Sequence, residues 1–386
     1  MPVARRMADI QPFHVMALLA RARVLESAGH SIVHMEIGEP DFGTPGPIVT
    51  AGQHALAAGY THYTPACGLP GLREAIAGLY RTRYGVEVAS ERIIVTPGAS
   101  AALQVVMAVL VDPGSRVLMA DPGYPCNRNF VRLFEGRPAG IPVGPESGYQ
   151  LNIELVRANW TDDTVALMAA SPSNPTGTML DPRQLAAMFG FARDKGGHLV
   201  VDEIYHGLTY DVVAETALSV SDEIFIINSF SKYFGMTGWR LGWLVAPAEF
   251  IDPIDRLVQN LFLSAPTLSQ HAALAAFGPE TTAILEARRE QFRERRDYLL
   301  PELRRLGFDI PLTPQGAFYL YADCSRICSD SHEFARRLLE EAGVAVTPGM
   351  DFGTNRAERH VRFAYTTSME NLREGVRRIG EYLARS

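Results

Sequence analysis

The amino-acid sequence predicts an α/β fold: a mostly parallel central sheet flanked by helices, followed by a smaller α+β domain. Three observations predict it. Short apolar runs at 92–96, 116–120, 164–170 and 198–202 are separated by helical patterns such as 101–111 and 182–195, the rhythm of strands joined by crossover helices. Several of these runs are almost wholly apolar, as expected of strands buried on both faces. Ser100, Tyr124, Asn174, Asp202 and Lys232 fall at the predicted strand C-termini or just beyond, where open α/β sheets bind ligands.

The elements follow in order. Val15, Leu18, Leu19, Ala22 and Leu25 predict a helix that stops at Gly29. An extended stretch spans 32–43, and Pro45-Gly46-Pro47 opens the next helix. Residues 60–71 form an aromatic loop and 72–84 a helix. The strand 92–96 runs into Pro97-Gly98-Ala99-Ser100, which opens the helix 101–111. Strands at 116–120, 164–170 and 198–205 follow, the last almost wholly apolar up to Asp202. Residues 222–228 and 241–246 read as strands on either side of a loop that carries Lys232 and Arg240. The chain is then helical to 306, as one long helix or two. Strands at 316–322, 344–347 and 360–365, with helices at 331–342 and 369–385, form the smaller unit. The expected division is a large domain at 46–285 and a small one from 1–45 and 286–386.

The chain has 386 residues, 47% of them hydrophobic and 20% charged, enough for a large core. Its net charge of -7 argues against nucleic acid as the main partner. No apolar run approaches the ~18 residues that span a bilayer, so no membrane partner is expected. No signal peptide is read at the N-terminus. The four cysteines contain no Cys-x-x-Cys, and no His or further Cys completes a metal set around Cys324 and Cys328, so a reduced cytoplasmic protein without a metal is expected.

Three readings compete for Lys232: a solvated surface charge, a nucleophile pair with Ser229, or a Schiff base with a carbonyl cofactor. The nucleophile pair of the penicillin-binding kind needs Ser-Asp-Asn and Lys-Thr-Gly companions, which the chain lacks. The Schiff-base reading asks for more of the chain: an acid for the cofactor ring, donors to its oxygen, a phosphate cup and an arginine for a substrate carboxylate. The motifs Gly38-Glu-Pro-Asp-Phe, Tyr63-Thr-Pro-x-x-Gly, Asn174-Pro-Thr-Gly, Asp202-Glu-x-Tyr205, Ser229-x-Ser231-Lys232, Arg240-x-Gly and Val361-Arg362-Phe supply these in order. With them the sequence resembles the class I/II, fold-type I aminotransferases of the aspartate aminotransferase superfamily, from about residue 37 to 365.

The resemblance implies an aminotransferase that uses pyridoxal 5'-phosphate and moves an amino group between an L-amino acid and a 2-oxo acid in a ping-pong reaction. It implies that Lys232 forms the Schiff base and shuttles a proton, that Asp202 pairs with the pyridinium nitrogen, and that Tyr205 and Asn174 bond the ring oxygen. Tyr124 is implied to stack on the ring, although a turn aromatic packed on the sheet fits it equally. Ala99, Ser100, Ser229, Ser231 and Arg240 are implied to cup the phosphate. Arg362 is implied to take the α-carboxylate, with Gly38 leaving room beside it. Tyr63 is implied to reach the neighbouring subunit's phosphate, and a homodimer with shared sites is then expected.

One subgroup of dicarboxylate-specific relatives carries a lysine at the position of Ser100. Its absence here, with Phe13 in a lid around Gln11-Pro-Phe13-His14, favours neutral or aromatic donors. Plain packing also accounts for Phe13 and His14. Two alternatives stay open: C–S β-elimination or another reaction in the same site, and a transcription regulator with an aminotransferase-like domain. The regulator would need a basic module of about 70 residues before the motifs, whereas Gly38 is reached after 37 residues.

Overall fold

The computed structural model describes residues 3–10 and 12–385; Gln11 of the expected lid lies outside the described residues. Among the described residues a seven-stranded sheet runs in the spatial order Ile93–Thr96, Gly242–Val245, Phe225–Ser229, His198–Asp202, Thr164–Ala170, Arg116–Asp121 and Arg137–Pro142. Gly242–Val245 is antiparallel to both its neighbours, and the other pairings are parallel. The sheet is therefore mostly parallel, as expected.

Alternation along the strands explains why they read as continuous apolar runs. Leu199, Val201, Ile226 and Leu167 join the core on one face, against Leu72, Ile76, Leu185, Met188 and Phe292 of the covering helices. Val200, Phe225, Ile227, Ala166 and Met168 join a second core on the other face, against Leu103, Val106, Phe130 and Ile254. Successive side chains point to opposite faces. With helices on both sides, each such aliphatic side chain contributes about 1.5–3 kcal/mol by leaving water.

The strand Arg137–Pro142 was not expected. It carries Pro138, Gly140 and Pro142 and pairs on one side only, with Arg116–Asp121. Proline is tolerated at such an edge but erases the strand signal. The helical stretch after 246 is neither one helix nor two. Ile251–Leu261 and Thr267–Ala273 precede a 27-residue helix, Pro279–Arg305. Leu263 at φ 63 and Pro266 end the first helix, and Gly278-Pro279 starts the last. The expected strand 344–347 divides in two. Val344–Ala345 pairs parallel with Val33–His34, whereas Thr347–Pro348 pairs antiparallel with His360–Ala364.

The smaller unit centres on a three-stranded antiparallel sheet in which His360–Ala364 lies between Thr347–Pro348 and Tyr319–Asp323. Ser331–Ala342 and Met369–Leu383 pack their buried leucines beside it. No described helix is long and apolar enough to cross a membrane.

Candidate active site

The C-terminal ends of the sheet strands open into a cavity of about 420 Å³. The loop after Phe225–Ser229 forms its floor. That loop is held from below by an aromatic cluster, Phe230 against Phe234, Trp243 and Phe277. Its backbone is tied by Phe230 N–H to Leu241 O at 3.1 Å and Met236 N–H to Phe230 O at 3.0 Å. The Ser229 hydroxyl donates to Ser231 Oγ at 2.9 Å and accepts from Ser231 N–H at 3.0 Å. Lys232 projects from this frame and donates to Gly38 O at 2.7 Å. A Cβ on Gly38 would overlap the hydroxyl of Tyr319, so only glycine lets the 37–39 backbone approach so closely.

One end of the cavity suits an anion. The helix Ala99–Leu110 points its first N–H groups there, beside Ser100, Ser229, Ser231 and Arg240. Gly98 sits at φ +82, and a Cβ there would come within 2.6 Å of Arg240 Nη2. Arg240 itself adopts φ 51, a left-handed conformation of the kind that collects at functional sites. Its Nη1 is anchored on Thr237 O at 2.9 Å.

Asp202 ends the strand His198–Asp202 and is 5% exposed. Burial pushes its pKa up to about 7, against the lowering effects of the Ile204 N–H at 3.1 Å and the Lys232 charge. A buried carboxylate so raised lacks an adequate cation, and a pyridinium would supply one. Burial also lowers Lys232 to about 8, partly opposed by Glu39 and reinforced by Arg362 and Arg240. An amine brought near neutrality is prepared to react with a carbonyl. The anion cup, the reactive amine and the carboxylate short of a cation together fit pyridoxal phosphate. Asp202, Asn174, Tyr205 and Tyr124 all line the same cavity.

Arg362 lies on the middle strand of the small sheet. Its Nη1 donates to Asn174 Oδ1 at 2.9 Å and its Nη2 to Glu36 O at 2.5 Å, while its buried Nε has no partner among the described residues. The guanidinium is thus fixed at the cavity wall. Tyr63 lies elsewhere: it is 82% exposed and does not line the cavity. Phe13 lines the cavity, but His14 does not. The His14 ring stacks edge-on against His332 at 5.3 Å, and the His14 backbone N–H donates to Asp351 Oδ1 at 2.9 Å.

Sequence reasoning missed Tyr319, Glu39 and Phe352. Tyr319 bonds Tyr205 through their hydroxyls at 2.9 Å and lies beneath Arg362, 4.2 Å from its guanidinium carbon to the ring centroid. Phe352 lies 4.8 Å from the same carbon. The aromatics at 319 and 321 were a usable signal for a functional strand face, but only the pairing register sets them beside Arg362. No group of three or more metal-ligating side chains is assembled among the described residues.

Residues 30–379 match the family model for aminotransferase class I and II. The chain is 38% identical to a valine–pyruvate aminotransferase of Mycobacterium tuberculosis over 97% of each chain. It is also 38% identical to an aspartate/prephenate aminotransferase of Thermus thermophilus, over 100% of this chain and 99% of that one. The crystal structure of an aminotransferase from Mycobacterium tuberculosis superimposes with a TM-score of 0.96 at 38% identity, covering 100% of both chains.

Proposed function

We propose a donor class for a chain that belongs to the class I and II aminotransferases: neutral or aromatic L-amino acids. The enzyme is a pyridoxal-phosphate-dependent transaminase of fold type I. When bound, the cofactor supplies an aldehyde for the amine and a ring that accepts electrons released at the substrate Cα. Lys232 Nζ would hold the aldehyde and, as a free amine, would be placed to take a proton from the substrate Cα. Asp202 would keep the ring nitrogen protonated. Tyr205 and Asn174 would donate to the ring oxygen, and Tyr124 would pack against the ring. Ser100, Ser229, Ser231, Arg240 and the N–H groups at Ala99 would hold the phosphate. Arg362 would take the α-carboxylate.

One observation carries the donor class. The cations lining the cavity among the described residues are Lys232, Arg240 and Arg362, and the roles above commit all three. The lining contributed by residues 13–16 and 36–39 holds no cation: it combines the apolar Phe13, Val15, Met16 and Ile37 with the acidic Glu36 and Glu39. A side-chain carboxylate entering there would lose water without gaining a partner, a cost of about 1–3 kcal/mol or more. Mixing the pyridoxal form with single amino acids and following bleaching of its absorbance tests this. Leucine or phenylalanine should exceed aspartate in rate per concentration by about ten- to a hundred-fold. Aspartate at parity would overturn the donor class. Release of ammonia and pyruvate from cystathionine at a comparable rate would favour β-elimination.

We propose further that the enzyme works as a homodimer in which Tyr63 serves the neighbouring subunit's phosphate. Its exposure outside its own cavity supports this, as do the exposed Leu56, Tyr60 and Leu274 around the helices Gly46–Ala57 and Thr267–Ala273. Subunits carrying Arg362→Ala, exchanged with subunits carrying Tyr63→Ala, should form hybrids with one doubly defective and one intact site. Activity should return, at up to about half of wild type per hybrid if the sites are independent. No recovery after demonstrated exchange would break the shared-site model.

A further inference from the structure

We propose that Tyr319 is a positioning residue for both halves of the site: its hydroxyl strengthens Tyr205 as a donor, and its ring holds the guanidinium of Arg362. The inference rests on the pyridoxal-phosphate reading of the cavity and extends it to a residue outside the motifs.

The geometry begins with register. Tyr319–Asp323 pairs antiparallel with His360–Ala364, so that Tyr321 faces Arg362 and Tyr319 faces Ala364. Residues two apart on a strand share a face, and cross-strand partners share it too. Tyr319 is therefore the diagonal neighbour of Arg362, and its ring centroid lies 4.2 Å from the guanidinium carbon. Phe352 offers a second ring at 4.8 Å. Asn174 and Glu36 O take hydrogen bonds from the two terminal nitrogens. The rings confine the guanidinium plane while the hydrogen bonds set its rotation within that plane, which two-pronged recognition of a carboxylate requires.

The hydroxyl does different work. Tyr319 is 1% exposed and Tyr205 3% exposed, and their oxygens are 2.9 Å apart. Burial keeps both phenols neutral by raising their pKa values. Two neutral phenols in contact share one hydrogen, so one donates and the other keeps a free O–H. We assign Tyr319 as the donor. Tyr205 then directs its own hydrogen into the cavity, and a hydroxyl that accepts a hydrogen bond becomes a better donor. Gly38 allows the arrangement, because a Cβ there would overlap the Tyr319 hydroxyl.

The hydroxyl and the ring are separable by substitution. In Tyr319→Phe the ring stays and the hydroxyl goes; in Tyr319→Leu both go. The holoenzymes are titrated by the absorbance of the bound cofactor, and KM and kcat are measured with a neutral amino acid. A donor to the cofactor's phenolic oxygen is worth most in the high-pH form, where that oxygen carries the fullest charge. Weakening the donor therefore moves the midpoint up. Tyr319→Phe should raise it by about 0.3–0.5 pH units while KM stays within about two-fold. Tyr319→Leu should raise the midpoint similarly and KM by about ten-fold or more. In a Tyr205→Phe background the shift from Tyr319→Phe should vanish, because it is transmitted through Tyr205.

An unmoved midpoint in Tyr319→Phe overturns the hydroxyl role. A KM in Tyr319→Leu no higher than in Tyr319→Phe overturns the ring role. A lower melting temperature with both readouts unmoved would make Tyr319 a packing residue and overturn both. Wild type that binds pyridoxal phosphate but shows no bleaching with any amino acid would instead defeat the reading of the cavity itself.

Discussion

Lys232→Ala should remain folded, bind pyridoxal phosphate without a covalent link, and lose turnover by roughly four orders of magnitude or more. A positioned proton carrier alone contributes about 10²–10⁴-fold, and the covalent hold on the aldehyde is lost as well. Folding should survive because the frame of the loop is built by others: the cluster around Phe230, the ties from Leu241, and the Ser229–Ser231 pair. Among the described residues the lysine side chain donates only to Gly38 O. Borohydride reduction of wild type should leave pyridoxyl on the peptide containing Lys232, and label on another lysine would sink the assignment. The same lysine predicts a pH dependence. Its pKa is lowered to about 8 by burial, and the neutral amine is the reacting form. Covalent uptake of cofactor by apoenzyme should therefore rise about ten-fold per pH unit below 8 and level off above it. A flat profile from pH 6 to 9 would contradict the role.

Asp202→Asn should slow the chemistry by about two to four decades. The amide cannot keep the ring nitrogen protonated, and loss of a buried ion pair worth about 3–5 kcal/mol converts at 1.36 kcal/mol per decade. Near wild-type turnover in this variant would withdraw the role. A second readout needs no cofactor. In the free protein the Asp202 pKa stands at about 7, raised by burial, above the ordinary value of about 3.9 for an unfolded chain. Between those values the folded state holds a proton that the unfolded state has lost. This contribution to stability is fully present below pH ~4 and disappears as the pH rises through 7. Apo Asp202→Asn lacks that loss, so its melting temperature should gain on the wild type between pH 5 and 8. A gap that stays constant across the range would mean that Asp202 is not the buried acid described.

The aspartate is identifiable from its own strand, as are Lys232, Ser100 and Asn174 from theirs. Each follows a short apolar run directly, and in a parallel sheet the end of such a run is a fixed place: the ligand edge. Chain-local chemistry is sufficient there. Tyr205 comes with Asp202 in the same turn, and the phosphate cup comes with the first turn of Ala99–Leu110.

Apolar patterning by itself determined the α/β class, the sheet and the positions of these residues, because burial on both faces imposes a legible composition on each strand. It did not determine pairing. Whether 344–347 is one strand or two depends on which neighbours it meets, Val33–His34 on one side and His360–Ala364 on the other. The edge strand Arg137–Pro142 exists because Arg116–Asp121 offers it a ladder, against its own prolines. Tyr319 reaches Arg362 through a register between strands some 40 residues apart and Tyr205 across 114 positions, and Glu36 O reaches Arg362 across 326 positions. Register and long-range contact are set by how whole faces pack, and no window of sequence contains that information.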